Sequence, residues 1–347
     1  MPIRPNFLER TAFFTLNAAP APMLDLAGGL ALQVINTAVR LDLFTALKER
    51  PSTPTELAQS LNCQARGLDK LLAALAAIGY VVERDGRYHN SAMTNKWFLQ
   101  GEMLDMKTAL LVFDTFFREL WPHAPEIIQS GERPFNFYDF TASTPGLSHA
   151  HQTMMQGNAN LVGADIVKKV ALPASASRLL DVGGGHGQFT IHFCQAHPQL
   201  TATIMDSEAA LETAQQNLEA AQLADRVDLY ATDLWQAAWG TEWDGILLFN
   251  LLHHYDLETN HKLLQKAHTA LKPGGKVAIF DQVAGKQFGS ATNAMVQLVG
   301  LMYYLFADGR IFTRDELTDL LSQTGFQNMQ FYLMRQAPGS NLLVAEK

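Results

Sequence analysis

Leu26, Leu30, Val34, Ala38 and Leu41 recur at helical spacing and predict one apolar face of a long helix near the start of the chain. Thr53-Pro54-Thr55-Glu56 is a capping box with proline at the first helical position, so a short second helix starts there. Leu68 to Ile78, rich in Leu and Ala and closed by Gly79, predicts a third. Tyr80-Val81-Val82-Glu83 and Arg87-Tyr88-His89 flank Asp85-Gly86, a hairpin turn pair. Helix, helix and β-wing make a winged-helix pattern over residues 1–100.

Further along, short apolar runs alternate with amphipathic stretches. Leu179 and Leu180 read as the end of a buried strand, with helices predicted after Gln188 and from Ser207 to Ala220. Ala202–Asp206, Val227–Tyr230, Gly245–Asn250 and Lys276–Phe280 predict four more strands. Leu271-Lys272-Pro273-Gly274-Gly275 stops a helix and turns into the last of these. Phe326 to Leu333 and Asn341 to Lys347 predict two strands around Pro338-Gly339, a terminal hairpin on an otherwise parallel sheet.

The run Asp181-Val182-Gly183-Gly184-Gly185-His186-Gly187 follows the first of these strands and opens a βαβ unit. Its glycines permit a tight turn in which backbone approaches a ligand. The dinucleotide pattern G-x-G-x-x-G fails here, because its third glycine would fall on Gln188. Asp181 beside the turn disfavours a pyrophosphate and favours a cationic ligand. S-adenosylmethionine, with a sulfonium and an ammonium, fits that charge. Asp206 ends the next strand twenty-five positions later, where such folds place an acid against the ribose hydroxyls. Asp233 and Leu234 follow the third strand, where a third loop would meet the adenine, and Asn250 ends the fourth. His186 is expected to face solvent.

Composition narrows the picture. The chain has 347 residues, 48% hydrophobic and 17% charged, which suits two globular domains. Its net charge of −8 argues against nucleic acid or an anionic membrane as partner. Within the winged helix, Arg66 and Lys70 straddle Asp69, too few cations for phosphate contacts, so dimerisation is the preferred role over DNA binding. Cys63 and Cys194 are the only cysteines, which implies no disulfide framework and fits a reducing, cytoplasmic setting. Arg4 and Arg10 before Ala12-Phe13-Phe14-Thr15-Leu16 faintly resemble a secretion signal, but the apolar run is short and Glu9 interrupts the basic flank. No apolar run is expected to span a bilayer.

From about Gly28 to its end the chain resembles the small-molecule O-methyltransferases of the plant caffeate and animal acetylserotonin type, with their bacterial polyketide and phenazine relatives. The resemblance rests on the Asp181–Gly187 motif, Asp206, Asp233, the His253 segment, the turn beginning at Lys272, and Gly131-x-x-Pro-Phe135. It implies an α/β fold: a Rossmann-like class I methyltransferase sheet with a C-terminal antiparallel hairpin, preceded by an α-helical winged-helix dimerisation domain. The expected divisions are 1–100 for dimerisation, 101–165 for a helical linker contributing to the acceptor pocket, and 166–347 for the S-adenosylmethionine-binding catalytic domain. A homodimer through the N-terminal domain is implied, in which one subunit can help close its partner's pocket.

For the acceptor, Phe113, Phe116, Phe117 and Trp121 fall on one predicted helix at spacings that share a face, followed by Phe135, Phe137, Tyr138 and Phe140. About half read as ordinary core. The others, Phe113 and Phe117 among them, are candidates for a pocket wall around a small, largely planar and apolar molecule. Met154 and Met155 resemble the family's acceptor-clamping methionine segment. Met302, Tyr303 and Phe306 are candidates for the opposite side.

Methyl transfer from a sulfonium is a direct displacement, so much of its acceleration comes from alignment. An oxygen acceptor also gains from losing its proton: a phenol has a pKa of ~10, whereas an imidazole at ~6.5 is free to accept. The segment Asn250-Leu251-Leu252-His253-His254-Tyr255-Asp256 lies just past the fourth strand, at the ligand-binding edge of the sheet. The family usually shows His-Asp-Trp here, which implies His253 as general base, with His254 and Tyr255 in the Asp and Trp places and His254 beside the acceptor. Adjacent histidines on a helix face different ways and no third ligand stands at zinc spacing, so no metal is expected. Relatives hold the base with two carboxylates: Asp281 matches one, and Ile311 stands where the other would be. Phe249 replaces a lysine of the plant members. Two other readings stay open. One is an enzyme of this fold that methylates carbon or nitrogen, or binds the cofactor for decarboxylation, hydroxylation or a pericyclic step; the other is a cofactor-binding DNA regulator.

Overall fold

The computed structural model describes residues 5–99, 105–285 and 287–347, and the chain divides into two compact units, Met1–Asp114 and Thr115–Lys347. The first unit has the three expected helices and the hairpin, and a further helix, Leu43–Glu49, between the first two. The helices Pro22–Arg40, Leu43–Glu49, Pro54–Ser60 and Ala65–Ala77 precede β1 (Val81–Arg84) and β2 (Arg87–Asn90). Thr53 and Glu56 close the predicted capping box reciprocally, and Asp85 and Gly86 both take positive φ, as a tight hairpin of this kind requires. Ile35, Leu43, Phe44, Leu72, Leu75 and Val81 fill its core.

The first long helix departs from expectation in two ways. Its buried residues are Ala31, Ile35, Asn36, Ala38 and Val39, whereas Leu26 and Leu30 point outward with Met23. With 19 residues it is also apolar enough, by length and composition alone, to cross a bilayer. The face carrying Ile35 and Val39 is packed in this unit's core.

The second unit is built on a sheet whose parallel members are β3 (Arg178–Val182), β4 (Thr201–Asp206), β5 (Val227–Ala231), β6 (Trp243–Phe249) and β7 (Leu271–Ala284). A two-residue β8 (Phe312–Thr313) pairs with β7 off the main path. The antiparallel pair β9 (Gln327–Leu333) and β10 (Ser340–Glu346) completes the order β5-β4-β3-β6-β7-β10-β9. Strand β6 is buried along its whole length, as a central parallel strand should be. Alternation puts Leu179 in one face's core, with Phe189 and Ile204, and Leu180 in the other's, with Ile246 and Leu264.

Three local findings refine the sequence expectations. The Lys272–Gly275 turn is a bulge inside a longer strand: Trp243 pairs with Leu271 and Gly245 with Lys276. Trp121 begins a separate 3-10 turn, Trp121–His123, because the helix Met106–Glu119 has already ended. One continuous helix, Leu147–Val170, carries the chain through positions 165 and 166.

Below the glycine turn, Asp181 does not face the open side. It is buried and accepts a 2.7 Å hydrogen bond from Thr190 Oγ1. A side chain at Gly184 would meet the Asp181 carboxyl at 2.7 Å and Ile204 at 2.8 Å, so the turn is laid directly over this acid. Burial raises the Asp181 pKa to about 7, partly offset by the Thr190 bond. Between the unfolded value of 3.8 and about 7 the folded chain therefore holds a proton that the unfolded chain releases. This contribution to stability is lost as pH rises through that window. Asp181→Asn keeps an acceptor for Thr190 and does not ionise. Urea unfolding should find the variant more stable relative to wild type at pH 8 than at pH 4.5; an equal difference at both pH values would contradict a protonated Asp181.

Candidate active site

The carboxyl ends of the parallel strands collect one group of predicted residues. Gly183, Gly185 and Gly187 all have positive φ, and the Gly183 N–H donates to the Met205 carbonyl at 2.8 Å. Asp206, at the end of β4, accepts from the Gly185 N–H at 2.9 Å through one carboxylate oxygen and from the Ser207 N–H at 2.7 Å through the other. A Cβ on Gly185 would point between Gln152 Oε1 at 3.5 Å and Asp206 Oδ2 at 3.9 Å, so the missing side chain leaves a cradle lined by polar oxygens. Gln152 was not singled out in the sequence. Its relation to Gln156, one helical turn on and bonded to Gln188 and Asn217, is the signal that identifies this helix face.

The other residues expected on the donor side, and His186, take distinct local positions. Asp233 follows β5 and accepts from the Trp235 and Gln236 N–H groups at 2.7 and 3.3 Å, while the half-buried Leu234 uses its carbonyl for Trp239 Nε1 and Lys266 Nζ. Asn250 turns the chain off β6 at φ 51°, its N–H held by the Phe280 carbonyl at 2.7 Å. His186 is not at the surface, as expected, but buried. Its ring accepts the Gln188 N–H, and burial lowers its pKa to about 4. The positive φ of Gly185 and Gly187 on either side bends the turn back, which carries this side chain inward.

His253 and Asp281 are brought together as expected. His253 Nδ1 lies 2.8 Å from Asp281 Oδ1, and the other carboxylate oxygen accepts the His253 N–H at 3.2 Å. Both residues are buried, His253 to 6% exposure. The carboxylate fixes the tautomer: Nδ1 carries the proton, and Nε2 is left as the acceptor. Tyr303 stacks on the imidazole with centroids 4.1 Å apart and planes 12° apart, while His254 lies at 4.0 Å and 48°. Ile311 is half-buried and directed at Gly300, where an added Cβ would meet it at 3.0 Å.

Aromatic rings surround this pair. The Tyr138 hydroxyl sits 3.1 Å from the His254 ring nitrogens, and burial holds His254 well below the usual imidazole range. Phe116, Phe137, Phe306 and His151 form a connected ring cluster, in which burial lowers the His151 pKa to about 4. Trp235 packs edge-on to Tyr255 at 5.2 Å, which links the Asp233 loop to the His253 segment. A cleft of about 470 Å³ opens beside His254 and is lined also by Tyr255, Tyr304, Asp308 and Arg310.

The remaining predicted acceptor residues are less focused. Met154 is buried and Met155 half-buried on the helix Leu147–Val170, and Met302 is half-buried next to Tyr303. Phe117 is 39% exposed, with its ring edge-on to Trp121, and Phe113 belongs to the first unit. Among the described residues no group of three His, Cys, Asp or Glu side chains is arranged to hold a metal.

Residues 128–327 match the O-methyltransferase domain family and residues 24–101 its dimerisation domain. The chain is 27% identical to the 3-hydroxy-5-methyl-1-naphthoate 3-O-methyltransferase of Streptomyces sahachiroi, over 94% of each chain. It is 25% identical to the L-tyrosine C(3)-methyltransferase of Streptomyces lavendulae, over 90% of this chain and 89% of the relative. Among solved structures, the S-adenosylmethionine-dependent methyltransferase SibL, in its apo form, superposes with a TM-score of 0.74 at 25% identity, covering 94% of this chain and 99% of SibL. The turn, the strand-end acids and both domain matches agree: the chain belongs to the plant-type S-adenosylmethionine-dependent O-methyltransferase family, with an N-terminal dimerisation domain.

Proposed function

We propose that this enzyme transfers the methyl group of S-adenosylmethionine to a hydroxyl of a small aromatic or polyketide-like acceptor, with His253 as general base and Asp281 as its orienting acid. The observation that carries this reading is the 2.8 Å pairing of His253 Nδ1 with Asp281, which leaves Nε2 as the proton acceptor at the ligand-binding edge of the sheet. Gly183, Gly185, Asp206, Asp233, Leu234 and Asn250 hold the donor, and Gln152 joins them from the helix above. Asp181 acts from beneath, through the shape of the turn. Bound there, S-adenosylmethionine supplies an electrophilic methyl and leaves as the neutral thioether.

The acceptor side is apolar and aromatic, which suits a flat ring, and Phe117, Met154, Met155, His254 and Met302 are its proposed lining. The naphthoate substrate of the Streptomyces sahachiroi relative has this character. The tyrosine C-methyltransferase keeps a second reading in view, because a deprotonated phenol is also activated at carbon. Incubation with S-adenosylmethionine and a panel of phenolic, quinone and heteroaromatic acceptors should release S-adenosylhomocysteine. NMR of the product separates oxygen from carbon or nitrogen methylation. His253→Ala should lower turnover by ~10²–10⁴-fold while retaining S-adenosylhomocysteine binding by calorimetry. Wild-type turnover in that variant would remove the base role.

Two copies of the first unit are proposed to pair through Met23, Leu26 and Leu30, which share a helix face and are 54%, 59% and 63% exposed. A winged-helix regulator would instead bind DNA, for which Arg66 and Lys70 are a weak charge. A reducing, cytoplasmic setting fits the two free cysteines. Leu26→Arg combined with Leu30→Arg should convert a dimer to a monomer in analytical ultracentrifugation; an unchanged dimer would place the contact elsewhere.

A further inference from the structure

Tyr303 does more than line the site. Its ring lies nearly parallel to the imidazole of His253 at 4.1 Å, and the backbone around it is built to keep it there. The helix Ser290–Ala307 ends at Asp308, which takes a left-handed conformation at φ 56°. The Gly309 N–H then returns to the Tyr303 carbonyl at 3.0 Å, and the Arg310 N–H donates to the His253 carbonyl at 2.8 Å. A Cβ at Gly309 would fall 2.8 Å from the His253 carbonyl oxygen, 3.1 Å from Tyr303 Cβ and 3.3 Å from the Tyr303 carbonyl oxygen. Two of these three contacts are with backbone, which has little freedom to yield. One helix end therefore grips His253 from both its backbone and its ring face.

The other groups around the imidazole are accounted for. From β7, Asp281 binds Nδ1 and the backbone N–H. On its own segment, His254 is kept neutral by burial, with Tyr138 and His151 beyond it, and Asp256 is turned to the Thr259 N–H. From the helix end, the Arg310 guanidinium pairs with Glu316 and lies over Phe312, the Asp308 carboxylate pairs with Arg133, and Tyr304 lies under the Arg133 guanidinium. Burial and the nearby Asp281 raise the Tyr303 hydroxyl far above the usual phenol range, so it stays protonated and its ring stays neutral. Where Ile311 leaves the base without a second carboxylate, a neutral aromatic face is what remains against it.

We propose that Tyr303 is a positioning residue for His253: its ring fixes the imidazole plane, and its π-face favours the imidazolium that forms when the base takes a proton. The electrostatics follow from the negative face of an aromatic ring, which attracts a cation and not the neutral imidazole. This inference rests on the base role proposed above. Its chemistry is nevertheless measurable without an acceptor.

The test is a pH titration of the full chain labelled with ¹³C-histidine, with the His253 ring signal assigned from its loss in His253→Gln. Wild type is compared with Tyr303→Phe, Tyr303→Leu and Tyr303→Met; methionine fills space without a π-face and serves if the leucine variant fails to fold. Loss of the ring should lower the His253 midpoint by roughly half a pH unit or more, and phenylalanine should keep it near wild type. A merely structural role would change thermal stability and leave the midpoint where it was. An unmoved midpoint in the leucine or methionine variant, or a phenylalanine variant shifted as far as they are, overturns the proposal. Turnover of His253→Ala is read separately. Full activity there defeats the base role, whereas an unmoved titration with lost His253→Ala activity defeats only the stack.

Discussion

The pairing of His253 with Asp281 depends on one constraint, the parallel register of β6 and β7. Phe249 lies opposite Phe280, so β6 ends beside Asp281 while β7 runs on to Ala284, paired with β10 and β8. Asn250 then swings the chain through a left-handed turn, anchored by its N–H on the Phe280 carbonyl. Three residues later the imidazole lies beside β7, where Asp281 meets it. The acid sits inside a buried strand, opposite Asn341 of β10, with little freedom to move away. A one-residue slip between these strands would turn Asp281 to the other face of the sheet and dissolve the pair.

The donor side depends on a steric constraint of the same severity. Between β3 and the helix Gln188–Ala196 the backbone must run over the buried Asp181 and Ile204 and still leave an opening beside Asp206. Gly184 and Gly187 are excluded from carrying side chains by what lies below them, at 2.7–2.9 Å. Gly185 is different: what faces it, Gln152 Oε1 and Asp206 Oδ2, stands back at 3.5 and 3.9 Å. The same five-residue turn thus packs tightly on one side and opens on the other.

Much of this was legible in the chain because it is written locally. The capping box at Thr53, the Asp85-Gly86 turn and the glycines after β3 act over a few residues, and the structure realises each of them. The strands themselves were equally visible, since short buried runs between helices leave few alternatives, although β7 runs from Leu271 to Ala284, past both expected ends. What escaped was orientation. Asp181 and His186 flank a turn that looks open, yet Asp181 is buried from its place in β3, between Ile204 and Leu247, and His186 is buried between the positive-φ Gly185 and Gly187. Leu26 and Leu30 continue the helical stripe of Ala38 but run beyond the residues available to cover them. The stack of Tyr303 on His253 joins positions fifty apart and depends on Gly309, a residue with no local motif to announce it.

The 6% exposure of His253 bears on how turnover is timed. With Tyr303 on its face and His254 at 4.0 Å, the imidazole is under cover, so in the base role proposed for it an acceptor would have to reach Nε2 through that cover. In that role the rate would be a product of two quantities: the fraction of molecules with the cover parted, and the speed of methyl transfer within them. Apparent affinity for the acceptor would be reduced by the same fraction. Tyr138, whose hydroxyl meets the His254 ring, would then act on throughput by setting how often the proposed base is within reach.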